Sequence, residues 1–468
     1  MLIPKTINFM VNTLRISLLY LLVALAGCQP ESSEKSNSPN VIFIMADDLG
    51  YADLGSYGQK VIKTPHIDAL ANRGVRFTQC YSGSPVCAPS RSTLMTGQHT
   101  GHTTVRGNSS PLNKSDPQGR VPLEDEDYTM AEAFKAAGYV TGMTGKWGLG
   151  EPGTLGIPTR QGFDQWFGYL NQRRAHHYYT EYLWKNEGKV YLTGNENGGK
   201  QEYSHDLFTE FAIDFIESNA DTSFFLYLPY TIPHDEYEIP STDPYNDSSW
   251  TEDERVYAAM VHRLDKDVGR IDQKLRDLGI EENTLIVFCS DNGAASRWEG
   301  RFNSSGELKG KKRDMYEGGI RVPLIMTWPG KLPAGTTNKQ VIYFPDFLPT
   351  FSELIDVEVP GNVDGRNLWD QISNVGEPVD RVLYWEFTEY GFQQAARWKD
   401  WKAVRLAKGA DLEIYDLKND AGEEHNVADQ FPRVVDQMEQ LLDTIRTESK
   451  YWPSNLGDST YTNSSLPH

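Results

Sequence analysis

Four short apolar runs in this chain each end in a polar or charged cluster instead of a plain turn, and no other feature constrains the fold as much. Val41-Ile42-Phe43-Ile44-Met45 runs into Asp47-Asp48, and Tyr139 to Met143 runs into Gly145-Lys146. Phe224 to Leu228 leads toward His234, and Leu285 to Cys289 runs into Asp291-Asn292. Helical signals lie between them. Thr64-Pro65 opens a segment that closes near Gly74, while Thr129 with Glu132 and Thr251 with Glu254 have the spacing of capping boxes. Apolar strands alternating with helices predict an α/β fold whose large, mainly parallel or mixed sheet is sandwiched by helices. Ligands of such sheets gather at the carboxyl ends of the strands. Asp47, Asp48, Lys146, His234, Asp291 and Asn292 are therefore expected as neighbours on one edge. A single strand-end Asp or Asn is ordinarily a turn residue; four clusters at equivalent positions point to a site.

The ends of the chain differ in texture. Lys5 and Arg15 flank an apolar run, Ile16 to Ala26, that is too short to cross a bilayer of roughly 30 Å and has the cationic start of an export signal. It ends in Leu25-Ala26-Gly27-Cys28, which resembles the bacterial lipobox, so residues 1–27 read as a lipoprotein signal peptide and Cys28 as the lipidated residue. Residues 28–39 then form the lipidated start and a polar, flexible tether. The expected location is the bacterial cell envelope, periplasm or outer membrane, with membrane contact through the lipid only. Residues 40–375 are expected to form the main domain. Beyond it, Val382 to Phe387, Trp401 to Val404 and Leu412 to Tyr415 read as short strands, followed by a helix from Pro432 to Ser449. These predict a smaller C-terminal α+β subdomain, residues 376–468, on a short antiparallel sheet. A net charge of -20, from 45 Lys+Arg against 65 Asp+Glu, disfavours nucleic acid and anionic membrane surfaces as partners.

One segment carries more information than any other: Pro85-Val86-Cys87-Ala88-Pro89-Ser90-Arg91-Ser92-Thr93-Leu94-Met95-Thr96-Gly97. It resembles the C-x-P-S-R-x-x-x-L-x-T-G signature of the formylglycine-dependent (type I) sulfatases, members of the alkaline-phosphatase superfamily. The resemblance continues through Ile42 to Gly50, Gly145-Lys146-Trp147, Ser290 to Gly293 and Tyr316 to Pro323. It implies that Cys87 is oxidised to 3-oxoalanine by a formylglycine-generating maturase and that the reaction is hydrolysis of a sulfate ester on a mono- or oligosaccharide. It also implies that Lys146 and Lys312 face the sulfate, with Lys312 chosen over Lys311 by its spacing to Glu317. His234, in Ile232-Pro233-His234, matches the family histidine that supports the leaving group.

Residue chemistry adds its own reading. Asp47, Asp48, Asp291 and Asn292, with the oxygen of a modified Cys87, form an all-oxygen set suited to Ca²⁺, or to Mg²⁺ as second choice. Pro89-Ser90-Arg91 predicts a helix that starts just after the nucleophile and aims its positive end at an anion. Arg91 is expected to hold the modified residue and the metal carboxylates. Of the four Cys, Cys80 and Cys289 remain; Cys289 ends a core strand, so buried free thiols are expected and not a disulfide.

One departure stands out. The family commonly reads G-K-W-H-L-G, whereas Gly148 replaces the second histidine here. Its role is unassigned, and replacements are sought in the aromatic stretch from Phe163 to Tyr179. Either His176 or His177 is expected at the site, with Arg173 or Arg174 reading an anionic or hydroxylated sugar. The competing functions are an arylsulfatase-like activity, or phosphodiester or phosphonate hydrolysis on the same fold, for which no second metal set is evident. Positive charge concentrated at one point of an acidic chain predicts a pocket for a terminal sulfated sugar or short oligosaccharide.

Overall fold

The computed structural model describes residues 38–374 and 379–454. The expected signal peptide, Cys28 and the tether up to Asn37 lie outside the described residues, as does the expected domain boundary at 375/376. Among the described residues no helix is long and apolar enough to cross a membrane.

Strands β1 (Asn40–Ala46), β2 (Val75–Tyr81), β3 (Val140–Lys146), β4 (Gln165–Tyr169), β5 (Tyr182–Lys185), β6 (Gly188–Tyr191), β7 (Phe224–Pro229), β8 (Thr284–Ser290), β9 (Arg321–Thr327) and β10 (Thr336–Tyr343) form one sheet. Their order is β10-β2-β9-β8-β1-β7-β3-β4-β5-β6. The stretch β8-β1-β7-β3-β4 is parallel, with Val41 beside both Phe225 and Leu285. All seven residues of β1 are buried, as a strand covered on both faces requires. Val41, Phe43 and Met45 pack on one side with residues of the helices Cys87–Thr96, Met130–Ala136 and Phe347–Leu354. Ile42, Ile44 and Ala46 pack on the other with Pro65–Arg73, Ser204–Ser218 and Glu252–Asp277. Both expected capping boxes form: Thr129 and Thr251 each accept the N–H of the Glu three residues on, whose side chain returns to the cap N–H. Each cap contributes about 1 kcal/mol.

The four runs singled out in the sequence are β1, β3, β7 and β8, and they are contiguous in the sheet. Their carboxyl ends therefore meet at one edge.

The second sheet is an antiparallel meander of β11 (Val382–Phe387), β12 (Gln393–Trp398), β13 (Trp401–Arg405) and β14 (Glu413–Asp416). Three of these were expected. β12 reads QQAARW, with no β-branched residue, and is a strand because β11 and β13 pair with it on both sides. The last helix runs Pro432–Thr444, ending before the expected Ser449. Tertiary anchors take the chain out of the helix: Arg446 Nε donates to Glu386 at 2.8 Å and the Thr447 N–H donates to the Gly101 carbonyl at 3.1 Å.

This small sheet supports the loops around Cys87 and Lys312. Leu383, Trp385 and Phe387 pack with Tyr81, Val86, Met315 and Ile320, and Trp385 Nε1 donates to the Ser82 carbonyl at 2.8 Å. Beneath them Lys402, fully buried, sits between Glu317 (3.0 Å) and Glu423 (2.8 Å). Removing one partner of such a group strands the other charges away from water. Lys402→Met is expected to lower the unfolding free energy by about 3–5 kcal/mol, read by urea denaturation; a loss below about 1 kcal/mol would show that the cluster is not holding the small sheet in place.

Candidate active site

Asp47 and Asp48 follow β1, Asp291 and Asn292 follow β8, and all four are buried. Asp48 adopts a positive φ of 65°, and its N–H donates to Asp291 Oδ1 at 3.2 Å. Three cations answer the three carboxylates. Lys146 Nζ lies 2.7 Å from Asp47 Oδ2, and Lys312 Nζ lies 2.7 Å from Asp48 Oδ2. Arg91 places Nη2 and Nε 2.7 and 3.1 Å from Asp291 Oδ2, while its Nη1 donates to the Lys146 carbonyl at 2.6 Å. Burial alone would raise the Asp47 carboxyl, yet Lys146, His234, Arg91 and Lys312 hold it well below the usual range.

The donor set fits a hard divalent cation. Asn292 Nδ2 donates to Asp48 Oδ1 at 2.7 Å and to the Gly293 carbonyl, whereas Asn292 Oδ1 is buried with no hydrogen-bond partner beside that carboxylate. An orphaned buried acceptor next to carboxylates is what a bound cation satisfies. Ligand atoms of Asp47, Asp48, Cys87 and His234 all lie within 4.8 Å of one another. His234 lies in the same cluster, but its ring nitrogens are already engaged by Lys312 and Asp235, as the Oδ2 of Asp291 is by Arg91.

Cys87 is 2% exposed, and its Sγ is 3.5 Å from Asp47 Oδ1. The helix begins at Cys87 itself, two residues earlier than expected, because Val86 is extended and serves as the N-cap. Position 87 therefore lies within the first turn, at the positive end of the helix. Ser90 Oγ ties that turn to the Asp291 carbonyl at 2.5 Å. Cys80 and Cys289 are buried free thiols, as expected.

Lys312 Nζ also approaches His234 Nε2 at 2.9 Å, so one of the two nitrogens offers its lone pair to the other's proton. Burial and Lys312 push the His234 imidazole down, but Asp48, Asp47 and Asp235 outweigh them and raise it to about 10. His234 and Lys312 form a proton-holding pair over Asp48. Both line a cavity of about 420 Å³ that also reaches Cys87.

The aromatic stretch resolves residue by residue. Arg173 and His176 line the cavity; Arg174 and His177 do not. Arg174 donates to Thr180 Oγ1 at 3.2 Å and lies 4.0 Å over the Tyr182 ring, and the half-exposed His177 sits 3.6 Å from Glu236. A 3-10 turn at Arg174–His176 has three residues per turn, which puts Arg173 and His176 on one side and Arg174 and His177 on another. His176 stacks on His234 with ring centroids 4.0 Å apart. Burial, with His234, Lys146 and Lys312 nearby, drives its pKa far down, so it is a neutral hydrogen-bonding group and a poor proton acceptor.

Sequence reasoning did not single out Asn108, Gln118, Arg120, Gln172, Asp235, Arg313, Glu389 and Tyr390, which also line the cavity. They sit in connections, and nothing in their local pattern marks them. Gln172 explains the departure at Gly148. That glycine has φ +78°, and a Cβ there would lie 2.7 Å from Gln172 Cγ. Gln172 Nε2 in turn donates to Asn108 Oδ1 at 3.2 Å, and the same oxygen accepts the Ala88 N–H at 3.0 Å. A glutamine hung from the first turn of the Cys87–Thr96 helix fills the space over residue 148. Gly148→His is expected to destabilise the protein by about 1–2 kcal/mol through the left-handed backbone alone, with further loss from the clash, and adding Gln172→Ala is expected to recover the clash part. Thermal denaturation of the single and double variants checks this; equal stability of wild type and Gly148→His would contradict it.

The sulfatase family model matches residues 39–357, and the model described as N-sulphoglucosamine sulphohydrolase, C-terminal, matches residues 309–448. The chain is 33% identical to N-acetylgalactosamine-6-sulfatase of Sus scrofa over 75% of this chain and 69% of that protein. It is 26% identical to N-acetylglucosamine-6-O-sulfatase of Bacteroides thetaiotaomicron over 92% and 90%. The crystal structure of Ps i-CgsB in complex with k-i-k-neocarrahexaose superposes with a TM-score of 0.76 at 28% identity, over 90% of this chain and 96% of that one. Built on an alkaline-phosphatase-like sheet, the chain belongs to the sulfatase family and is a sulfuric ester hydrolase.

Proposed function

We propose that the protein removes sulfate from a saccharide, using a formylglycine made from Cys87 and a single Ca²⁺, with Mg²⁺ as the alternative ion. The observation that carries this reading is the placement of Cys87. It lies in the first turn of a buried helix, 3.5 Å from Asp47, in the wall of the cavity that Lys312 and His234 share. Asp47, Asp48, Asp291 and Asn292 would hold the ion, which when bound supplies Lewis-acid stabilisation of an oxygen nucleophile and of sulfate charge. A hydrated aldehyde at position 87 supplies that oxygen.

The chain's own residues do the rest. Arg91 fixes the Asp291 carboxylate and the Lys146 carbonyl, which keeps the strand ends in register with the helix. Lys146 and Lys312 neutralise sulfate oxygens. The His234 and Lys312 pair holds a proton at the cavity and gives it to the departing alcohol oxygen as the S–O bond breaks. Asp235, 2.8 Å from His234 Nδ1, orients the imidazole.

A saccharide is favoured over an aryl ester because Asn108, Ser109, Gln118 and Gln172 offer hydrogen bonds for hydroxyls. The relatives named for sulfated amino sugars and the neighbour bound to a neocarrahexaose support the same class. Phosphodiester or phosphonate hydrolysis is disfavoured. Among the described residues the other group spaced to share an ion is His99, His102 and Asp364, none of which lines the cavity. His99 Nδ1 accepts the Gly101 N–H, so its Nε2 keeps a proton toward Asp364 and has no lone pair for a metal. We further place the protein on the bacterial envelope through a lipid at Cys28, matured by a formylglycine-generating enzyme.

Two measurements test this reading. Protein from the native host is expected to carry a carbonyl at residue 87, trapped by a hydrazide or aminooxy reagent and located by mass spectrometry; an unmodified thiol in active protein would overturn the mechanism. Chelation with EDTA is expected to abolish sulfate release and Ca²⁺ to restore it, whereas full activity after chelation would remove the metal from the account.

A further inference from the structure

The sequence Val86-Cys87-Ala88-Pro89 leaves the start of its helix without a cap of its own. Val86, the N-cap, has no side-chain oxygen to offer the first turn, and Pro89 has no N–H. The Ser90 N–H makes a backbone bond to the Val86 carbonyl at 3.3 Å. The Ala88 N–H is met from a distant loop, by Asn108 Oδ1 at 3.0 Å. A second donor, Gln172 Nε2, reaches the same oxygen at 3.2 Å. A backbone N–H can only donate, so the Ala88 contact fixes which end of the Asn108 carboxamide is the oxygen. The other end, Nδ2 with its two N–H groups, is turned away from Ala88 and has no partner among the described residues.

The peptide around Asn108 is held on both sides. Arg120 Nη1 donates to the Asn108 carbonyl at 2.5 Å, and Ser110 Oγ donates to the Tyr451 carbonyl at 2.6 Å. Gly107 lies so close to the buried Trp452 that a Cβ there would be 2.8 Å from its Nε1. Asn108, Gln172 and Cys87 line one cavity, and Asn108 is bonded to the residue next to Cys87. The cations of the site already have anions to hold. Lys146 and Lys312 each lie 2.7 Å from a carboxylate, and Arg91 is fixed on Asp291. Turning a lysine to a sulfate oxygen draws it off its carboxylate, whereas the Asn108 donor gives up no protein contact. A sulfate monoester offers acceptor oxygens only, and a donor held in place beforehand loses little freedom on meeting one.

Resting on the sulfatase reading above, we propose that Asn108 is a sulfate-binding residue: its Nδ2 donates to a sulfate oxygen of the ester, while its Oδ1, held by the Ala88 N–H and by Gln172, keeps that donor in the cavity beside position 87. The second N–H of the same amide remains for a neighbouring sugar hydroxyl. Gln172 is the positioning residue of the pair. Gly148 makes room for it, since a Cβ at 148 would meet Gln172 Cγ at 2.7 Å. The missing side chain at 148 and the neutral carboxamide beside position 87 are thus parts of one arrangement.

The test uses Ca²⁺-loaded holoenzyme with inorganic sulfate as the probe. Its affinity is read by calorimetry or as product inhibition, and folding by thermal denaturation. Asn108→Asp keeps an oxygen for Ala88 and Gln172 but removes the donor, while Asn108→Ala removes both without adding charge. Each is expected to weaken sulfate binding about tenfold or more, and Gln172→Ala about threefold. Asn108→Asp is expected to melt close to wild type and above Asn108→Ala. Near wild-type affinity in Asn108→Ala would overturn the inference, as would melting of Asn108→Asp as low as Asn108→Ala, which would remove the Oδ1 tether. If Asn108→Ala does not fold, Asn108→Asp decides: a loss that persists at raised salt reports the missing donor, and one that salt removes reports repulsion and overturns the inference. Unchanged affinity in Gln172→Ala would overturn the role given to Gln172. All these results leave the proposed function standing. Wild-type protein that carries the carbonyl yet neither binds sulfate nor releases it from sulfated saccharides would overturn that function, and this inference with it.

Discussion

Three carboxylates held out of water at the ends of β1 and β8 are costly, several kcal/mol each if left unanswered, and the structure around them is organised to answer them. Asp47 takes Lys146 from the end of β3, Asp48 takes Lys312 from the connection between β8 and β9, and Asp291 takes Arg91 from the Cys87–Thr96 helix. Each pairing joins elements far apart in sequence, so the same contacts that neutralise the cluster also fix the geometry of the site. Asn292 adds an acceptor with nothing yet to accept from. The cluster is therefore electrically closed as protein and still chemically open to a cation, which is the state an ion-dependent site must be able to adopt.

The small C-terminal sheet belongs to this arrangement. Its Trp385 carries the Ser82 carbonyl, and its Lys402 pairs with Glu317, the residue from which the short helix before β9 begins. Glu423 accepts the Glu317 N–H at 2.6 Å, so the end of the Lys312 connection that leads into β9 is anchored from below. The sheet also brings Glu389 and Tyr390 to the cavity rim. One unit thus positions Lys312 and frames the entrance of the cavity.

Much of the main sheet was legible in the sequence because its information is local and periodic: β1, β3, β7 and β8 are apolar runs with a polar terminus, and parallel topology puts such termini together. Both capping boxes were legible by their spacing, whereas Lys312 came from the family resemblance, through its spacing to Glu317. What was missed is information the fold creates. β12 has no strand-like composition and exists through its neighbours, and Arg120, Gln172 and Tyr390 are loop residues that only tertiary packing gathers. The choice between His176 and His177 turned on the direction of one 3-10 turn, and the first turn of the Cys87–Thr96 helix on the backbone of Val86. Gly148 was visible as a departure, but its cause, the side chain of Gln172, lies 24 residues away along the chain.

The central claim is that the strand-end cluster is an ion site whose lysines are shared between carboxylates and ligand. A pair of crystal structures, one grown with Ca²⁺ and one after chelation, tests it most directly. The account predicts density for an ion ligated by Asp47, Asp48, Asp291 and Asn292 Oδ1 in the first, with Lys146 and Lys312 drawn off their carboxylates toward the cavity, and the paired arrangement described above in the second. An empty cluster with both lysines still on Asp47 and Asp48 at saturating Ca²⁺ would contradict it.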